Sequence, residues 1–155
     1  MKFTKNKLAE IIDHCRKEYP QEACGILAGK EGNIEEIYPM RNVSEKPETC
    51  YFMEPKEQLT VMKEMRTRGL EMVGIYHSHI DSPAEPSARD IELAFYSEVV
   101  YVIVSLTDKG NPSIRAFRII EKNITEETIT FNRLKKSYSK SQKPDKVQIS
   151  NIKIV

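Results

Sequence analysis

The sequence predicts an α/β (α+β) fold, a single domain with one β-sheet flanked by helices. Three observations predict it. Helix-period segments alternate with short apolar runs of strand length, turn residues separate them, and no segment is repeated. At 155 residues the chain is long enough for one self-sufficient core.

Leu8, Ile11, Ile12 and Cys15 recur at helical spacing, so residues 4–19 read as an amphipathic helix ended by Pro20. Residues 24–28 read as a short buried strand. Residues 29–32 read as a turn into a second strand, in which Ile34, Ile37 and Tyr38 partly alternate. Residues 44–50 read as loop and 51–53 as a short extended piece. Pro55 opens a second helix carrying Leu59, Met62 and Met65, with its methionines facing the core, and Gly69 closes it. Residues 72–76 form a buried strand that runs directly into His77. The loop 80–86 holds Pro83 and Pro86, and Ser87 begins a third helix through about Tyr96. Strands at 99–106 and 114–120 follow, joined by a turn at 108–112, and residues 127–131 add one more.

Composition excludes several classes. Hydrophobic residues make up 39% and charged residues 30%, with mean hydropathy −0.51, which fits neither a membrane protein nor a disordered chain. The most apolar run, 99–104, is far shorter than the roughly 20 residues a bilayer span needs. The charged N-terminus is followed by no apolar segment, so no signal peptide is visible and a cytoplasmic location is expected. Three cysteines without CxxC spacing argue against a disulfide framework and against a cysteine-based zinc site.

The net charge of +1 conceals an asymmetry. Residues 132–155 carry seven basic residues against Asp145, a net +6, which leaves −5 on the remainder. The chain therefore divides into a domain at 1–131 and a basic extension at 132–155. The extension reads as solvated and partly ordered; contact with nucleic acid is the competing reading, weakened by the absence of an aromatic stacking pattern.

The chemistry is concentrated between His77 and Asp90. Residues i and i+2 of a strand share a face, so His77 and His79 can converge on one point while Ser78 turns away. Asp90, one turn into the following helix, completes a His-His-Asp set. Three such ligands with an open fourth position describe a hydrolytic metal site rather than a structural one. Each half has an ordinary explanation. Ser87-x-x-Asp90 has the form of an N-terminal capping box, and histidines paired on a strand end are often surface residues. Joined after an apolar strand, the two halves are far more specific. A hydrolase also needs a proton carrier, and Glu22, just before the strand at 24–28, is the best candidate. Cys24 reads as a small buried hydrophobe, and His14 has no partner at ligand spacing.

Pro20-x-Glu22-x-Cys24-Gly25-x-Leu27-x-Gly29, followed by His77-x-His79-x7-Ser87-x-x-Asp90, resembles the JAMM (MPN-plus) metalloprotease family over residues 5 to 120. The resemblance implies a mixed, cytidine-deaminase-like sheet flanked by helices. It implies one zinc ion per chain on His77, His79 and Asp90, Glu22 as acid/base, and Ser87 as a donor to the tetrahedral intermediate. Compact prokaryotic members act on ubiquitin-like and sulfur-carrier proteins, so the expected substrate is such a carrier, cut after its C-terminal Gly-Gly as a peptide or isopeptide. Ile80 stands where many prokaryotic members have proline, which directs attention to the loop at 80–82 as a determinant of substrate entry. Two other readings compete: a non-catalytic MPN-type binding module, which usually lacks a ligand, and a RadC-like DNA-associated protein that uses the basic extension. A zinc deaminase is excluded by the absence of H-x-E with P-C-x-x-C. Neither a membrane partner nor an oligomeric state is indicated.

Overall fold

The two helical stripes in the sequence cover opposite faces of one sheet. A computed structural model describes residues 1–132 and the backbone of Lys153 and Ile154. The elements are β1 (Lys2–Phe3), α1 (Lys5–Glu18), β2 (Cys24–Lys30), β3 (Asn33–Met40), α2 (Pro55–Thr67), β4 (Glu71–His79), α3 (Ala88–Glu92), β5 (Val100–Ser105), β6 (Ser113–Ile120), β7 (Asn123–Glu127), β8 (Thr130–Phe131) and β9 (Lys153–Ile154). The sheet runs β7-β6-β5-β4-β2-β3-β1-β8, with β9 beside β6. It is mixed: β4 lies parallel to β5 and antiparallel to β2.

Helix α1 starts where the Thr4 hydroxyl accepts from the Lys7 N–H, satisfying one of the donors that a helix start leaves open. Its stripe of Leu8, Ile11, Ile12 and Cys15 is buried with Leu27, Tyr76, Val102 and Val104. Each fully buried aliphatic side chain there contributes roughly 1.5–3 kcal/mol. On the opposite face, Met65 of α2 packs in a second cluster with Ile26, Ile75, Tyr101 and Ile103. The stripe on α2 is only partly core-facing, since Met65 is buried and Met62 half-buried, whereas Leu59 is exposed.

Four boundaries differ from the sequence expectation. β2 continues through Gly29 and Lys30, because Lys30 still pairs with Asn33. The turn shrinks to Glu31 and Gly32, both at positive φ, as a two-residue hairpin demands. The helix after Ser87 stops at Glu92 instead of about Tyr96. Tertiary bonds take over there: the Tyr96 N–H donates to the Tyr101 hydroxyl at 3.1 Å, and that hydroxyl donates to the Tyr96 carbonyl at 3.3 Å. The expected strand at 127–131 is two strands, β7 against β6 and β8 against β1. β1 itself is two residues long, too short to leave a periodic signal. The basic extension lies almost wholly outside the described residues; its Lys153 and Ile154 run parallel to Ser113 and Ile114. Among the described residues, no helix is long and apolar enough to cross a membrane.

The fold places the functional end of β4 at the middle of the sheet. β4 is hydrogen-bonded on both edges, and Cys24, the first residue of β2, lies directly opposite His77. The segment that leads into β2 must therefore arrive beside the histidines. Gly25 explains part of the Cys-Gly pattern. It faces Tyr76 across the ladder, and a Cβ there would lie 2.3 Å from the tyrosine ring. The ring occupies that space and anchors β4 against α1 through a 2.8 Å bond between its hydroxyl and His14 Nδ1.

Candidate metal centre

Strand alternation does what the spacing predicts. Ile75, His77 and His79 share the α2 face, while Tyr76 and Ser78 turn to the α1 face. Both histidines are almost fully buried. Their Nε2 atoms lie 3.1 Å apart. Asp90 completes the triangle, with Oδ1 3.3 Å from His77 Nε2 and Oδ2 3.1 Å from His79 Nε2. Among the described residues this is the one group of three His, Cys, Asp or Glu side chains close enough to hold a metal ion.

The tautomers fit that role. His79 Nδ1 lies 2.8 Å from the Pro83 carbonyl, which can only accept, so Nδ1 carries the proton and Nε2 presents its lone pair. A fixed outer hydrogen bond of this kind is how metal-binding histidines are oriented. His77 has no such partner; its Nδ1 is buried without a hydrogen bond, and its ring is held by stacking on Tyr51, centroids 4.4 Å apart at 25°. Lone pairs of two imidazoles and a carboxylate that meet at about this distance repel unless a proton or cation lies between them, so the donor set fits a cation. The protonation equilibria reflect the same crowding. Burial pushes His77 below its ordinary range. Burial also opposes the charged form of His79, yet the Asp90 carboxylate and the Pro83 carbonyl outweigh it and raise that histidine. Asp90 is disfavoured by burial but is held well below the usual carboxylate range by His77, His79 and the Ser87 N–H.

The capping box and the metal cluster turn out to be one structure. The Ser87 hydroxyl accepts from the Asp90 N–H at 3.1 Å, and the Ser87 N–H donates to Asp90 Oδ2 at 2.8 Å. The cap thus fixes the rotamer of the carboxylate ligand. A hydroxyl that accepts one bond keeps its own proton to donate, and Ser87 is exposed beside the cluster.

Glu22 is 5% exposed, at the entry to β2. Burial raises its carboxyl to about 7, with His79 lowering it and Asp90 raising it further. It makes no hydrogen bond to the cluster among the described residues; charge coupling alone links them. Cys24 is a buried structural thiol, pushed up to about 12 by burial with its Sγ 3.6 Å from the Met40 carbonyl, so it is no nucleophile. Ile80 is buried in the α1-side core.

Sequence reasoning missed three residues: Tyr51, Asn42 and Ser78. Tyr51 stacks on His77 and lines a cleft of about 530 Å³ together with Lys46, Cys50, Phe52, Arg89 and Leu93. That cleft adjoins the cluster, because Arg89 immediately precedes Asp90. A larger cleft of about 700 Å³, around His14, Met40, Arg41 and Glu57, contains no cluster residue and lies apart from the chemistry. No periodic signal could have singled out Tyr51, since stacking on His77 depends on the path of a long connection.

Residues 4–120 match the family of prokaryotic homologs of the JAB domain. The chain belongs to that family. It is a JAMM/MPN-like domain with a His-His-Asp cluster of the kind that binds Zn²⁺. Among its relatives, the CysO-cysteine peptidase of Mycobacterium tuberculosis is 39% identical over 121 residues, covering 77% of this chain and 82% of the peptidase. The probable TtuB-protein conjugate cleaving protease of Thermus thermophilus is 38% identical over 114 residues, 74% of this chain and 72% of that one. A solution structure from Desulfitobacterium hafniense is 38% identical, covers 84% of this chain and 92% of that chain, and superposes with a TM-score of 0.77.

Proposed function

We propose that this JAMM-type enzyme is a zinc-dependent peptidase or isopeptidase that cuts after the C-terminal Gly-Gly of a ubiquitin-like or sulfur-carrier protein. The observation that carries the reading is the His77-His79-Asp90 triangle, with donor separations of 3.1 to 3.3 Å. A tetrahedral zinc site with ligands at 2.0–2.1 Å has edges of about 3.3 Å. His77, His79 and Asp90 would hold one zinc ion per chain and leave a fourth position open. The relatives named for conjugate or carrier cleavage support the substrate class.

Zinc bound there supplies a Lewis acid and water made acidic enough to deprotonate near neutrality. The chain's own residues do the rest. Glu22, with a carboxyl raised to about 7, is suited to take the proton of the attacking water and return it to the leaving amine. Ser87 is suited to donate to the oxyanion, since its hydroxyl proton is not used by the cap. β2, β4 and β5 are paired on both edges, so an extended tail finds no free edge on these three strands. The cleft bordered by Tyr51 and Phe52 is the place for it.

The proposed catalytic domain is 1–131 with 132–155 as a basic extension. The proposed compartment is the cytoplasm, which fits three free cysteines. The test uses zinc-loaded protein and a Gly-Gly fusion to a ubiquitin-like carrier. Glu22→Ala should keep one zinc per chain and lose turnover, and His77→Ala should lose both. A zinc-loaded wild type that leaves every such fusion intact would refute the substrate class.

A further inference from the structure

Building on the reading of Glu22 as proton carrier, the geometry points to Asn42 and Ser78 as positioning residues that clamp Glu22 at the metal centre. The paired register between β2 and β4 begins at Cys24, so the backbone of Glu22 and Ala23 lies just outside it. Two side chains, a loop carbonyl and one β4 backbone N–H supply the partners. The buried Ser78 hydroxyl accepts from the Ala23 N–H at 2.8 Å, and the Ser78 N–H donates to the Ala23 carbonyl at 3.0 Å. The Glu22 N–H donates to the Pro47 carbonyl at 2.7 Å, and Asn42 Nδ2 donates to the Glu22 carbonyl at 3.0 Å. Every backbone donor and acceptor of the two residues is thereby fixed.

Asn42 does more than hold Glu22. Its Nδ2 also donates to the Cys50 carbonyl at 3.0 Å and, more weakly, to the Pro47 carbonyl at 3.4 Å. Its Oδ1 accepts from the N–H groups of Ser44 and Phe52 at 3.0 and 3.1 Å. The bonds to Cys50 and Phe52 pin the peptides on either side of Tyr51, the residue stacked on His77. One carboxamide therefore joins the general base to the aromatic platform of a metal ligand. Only a side chain with two donors and an acceptor in one plane can do this; aspartate cannot donate. Because the Glu22 carboxylate has no hydrogen bond to His79 or Asp90, its position is set through its backbone. Neither the Asn42 nor the Ser78 side chain touches the metal cluster; Ser78 acts through Glu22, and Asn42 acts through Glu22 and through Tyr51.

The experiment compares Asn42→Ala, Ser78→Ala and Ser78→Thr with wild type on the Gly-Gly fusion, with metal content and amide exchange measured alongside. Displacing a catalytic group by about 1 Å costs on the order of a hundredfold. Both alanine variants should keep one zinc per chain and a KM within about twofold, while kcat falls roughly 10- to 100-fold. Ser78→Thr should restore kcat to within about threefold, and with it the exchange protection of the Ala23 amide that Ser78→Ala loses. If Ser78→Ala does not fold, Asn42→Ala on the half-buried loop decides. An inert wild type would sink the functional reading. An active wild type with unchanged kcat in Asn42→Ala and Ser78→Ala, or a kcat loss matched by zinc loss, would sink the clamp alone.

Discussion

The end of β4 and the connection from residue 41 to 54 meet at the same centre but are built on different principles. β4 holds His77 and His79 by strand periodicity, in the middle of a sheet paired on both edges. The connection has one isolated bridge, Asn42 to Met53, a few backbone hydrogen bonds such as Val43 N–H to the Phe52 carbonyl, and a set of side-chain hydrogen bonds to backbone centred on Asn42. The strand brings the metal ligands, which need a rigid common face. The connection brings the aromatic stack and the clamp on Glu22, which sit against those ligands. Ligand placement should therefore tolerate changes in the connection, whereas proton transfer should not.

The junction between the regions gives the largest effect. Ser87 both caps α3 and faces the cluster with a free proton. Ser87→Ala should lower kcat about 10²- to 10³-fold, the usual loss for one oxyanion donor. It should also lower stability by about 1 kcal/mol through the lost cap. Ser87→Asp separates the roles, because aspartate caps well but has no proton to donate. It should recover the melting temperature and leave kcat depressed. Full activity in Ser87→Asp would remove Ser87 from the chemistry and leave it only the cap.

The buried carboxyl supplies the next effect, readable without substrate. Glu22 titrates near 7 when folded, above the ordinary 4.5 for a glutamate, so the folded state binds more protons between those values. Stability of the metal-free protein therefore falls as pH rises through this window, and the penalty is complete above about pH 8. Glu22→Gln should raise stability there by up to about 3 kcal/mol. The gain should shrink as pH drops to 4.5 and vanish below about pH 4. Thermal melts of chelator-treated protein at pH 5 and 8 check it; equal shifts at both would mean that Glu22 is not held in a desolvated position.

Much of this was legible in the sequence, for a physical reason. The triad rests on period-two alternation plus one helical turn, both local rules, so His77, His79 and Asp90 could be named from spacing. Glu22 could be named because it lies between Pro20 and a short apolar strand, near the end of the sheet; its approach to the histidines comes from the β2–β4 pairing, which the sequence does not show. Asn42, Ser78 and Tyr51 could not, because their roles come from contacts across 20 to 55 positions of chain that leave no period. The α3 boundary failed likewise: Tyr101 hydrogen bonds override a continuing helical pattern.

The smallest effect tests the limits of periodicity itself. Leu59 shares the α2 stripe with Met62 and Met65, yet it is 55% exposed, whereas Met65 is 4% exposed. The stripe is correct in phase but wider than the face the sheet covers. Leu59→Lys removes little buried area and should change stability by less than about 0.5 kcal/mol, with kcat unaltered. A larger destabilisation in a chemical-denaturation titration would show that the connection packs over Leu59 in solution. The loop region would then owe its order to apolar burial as well as to Asn42, and the contrast with β4 would be one of degree.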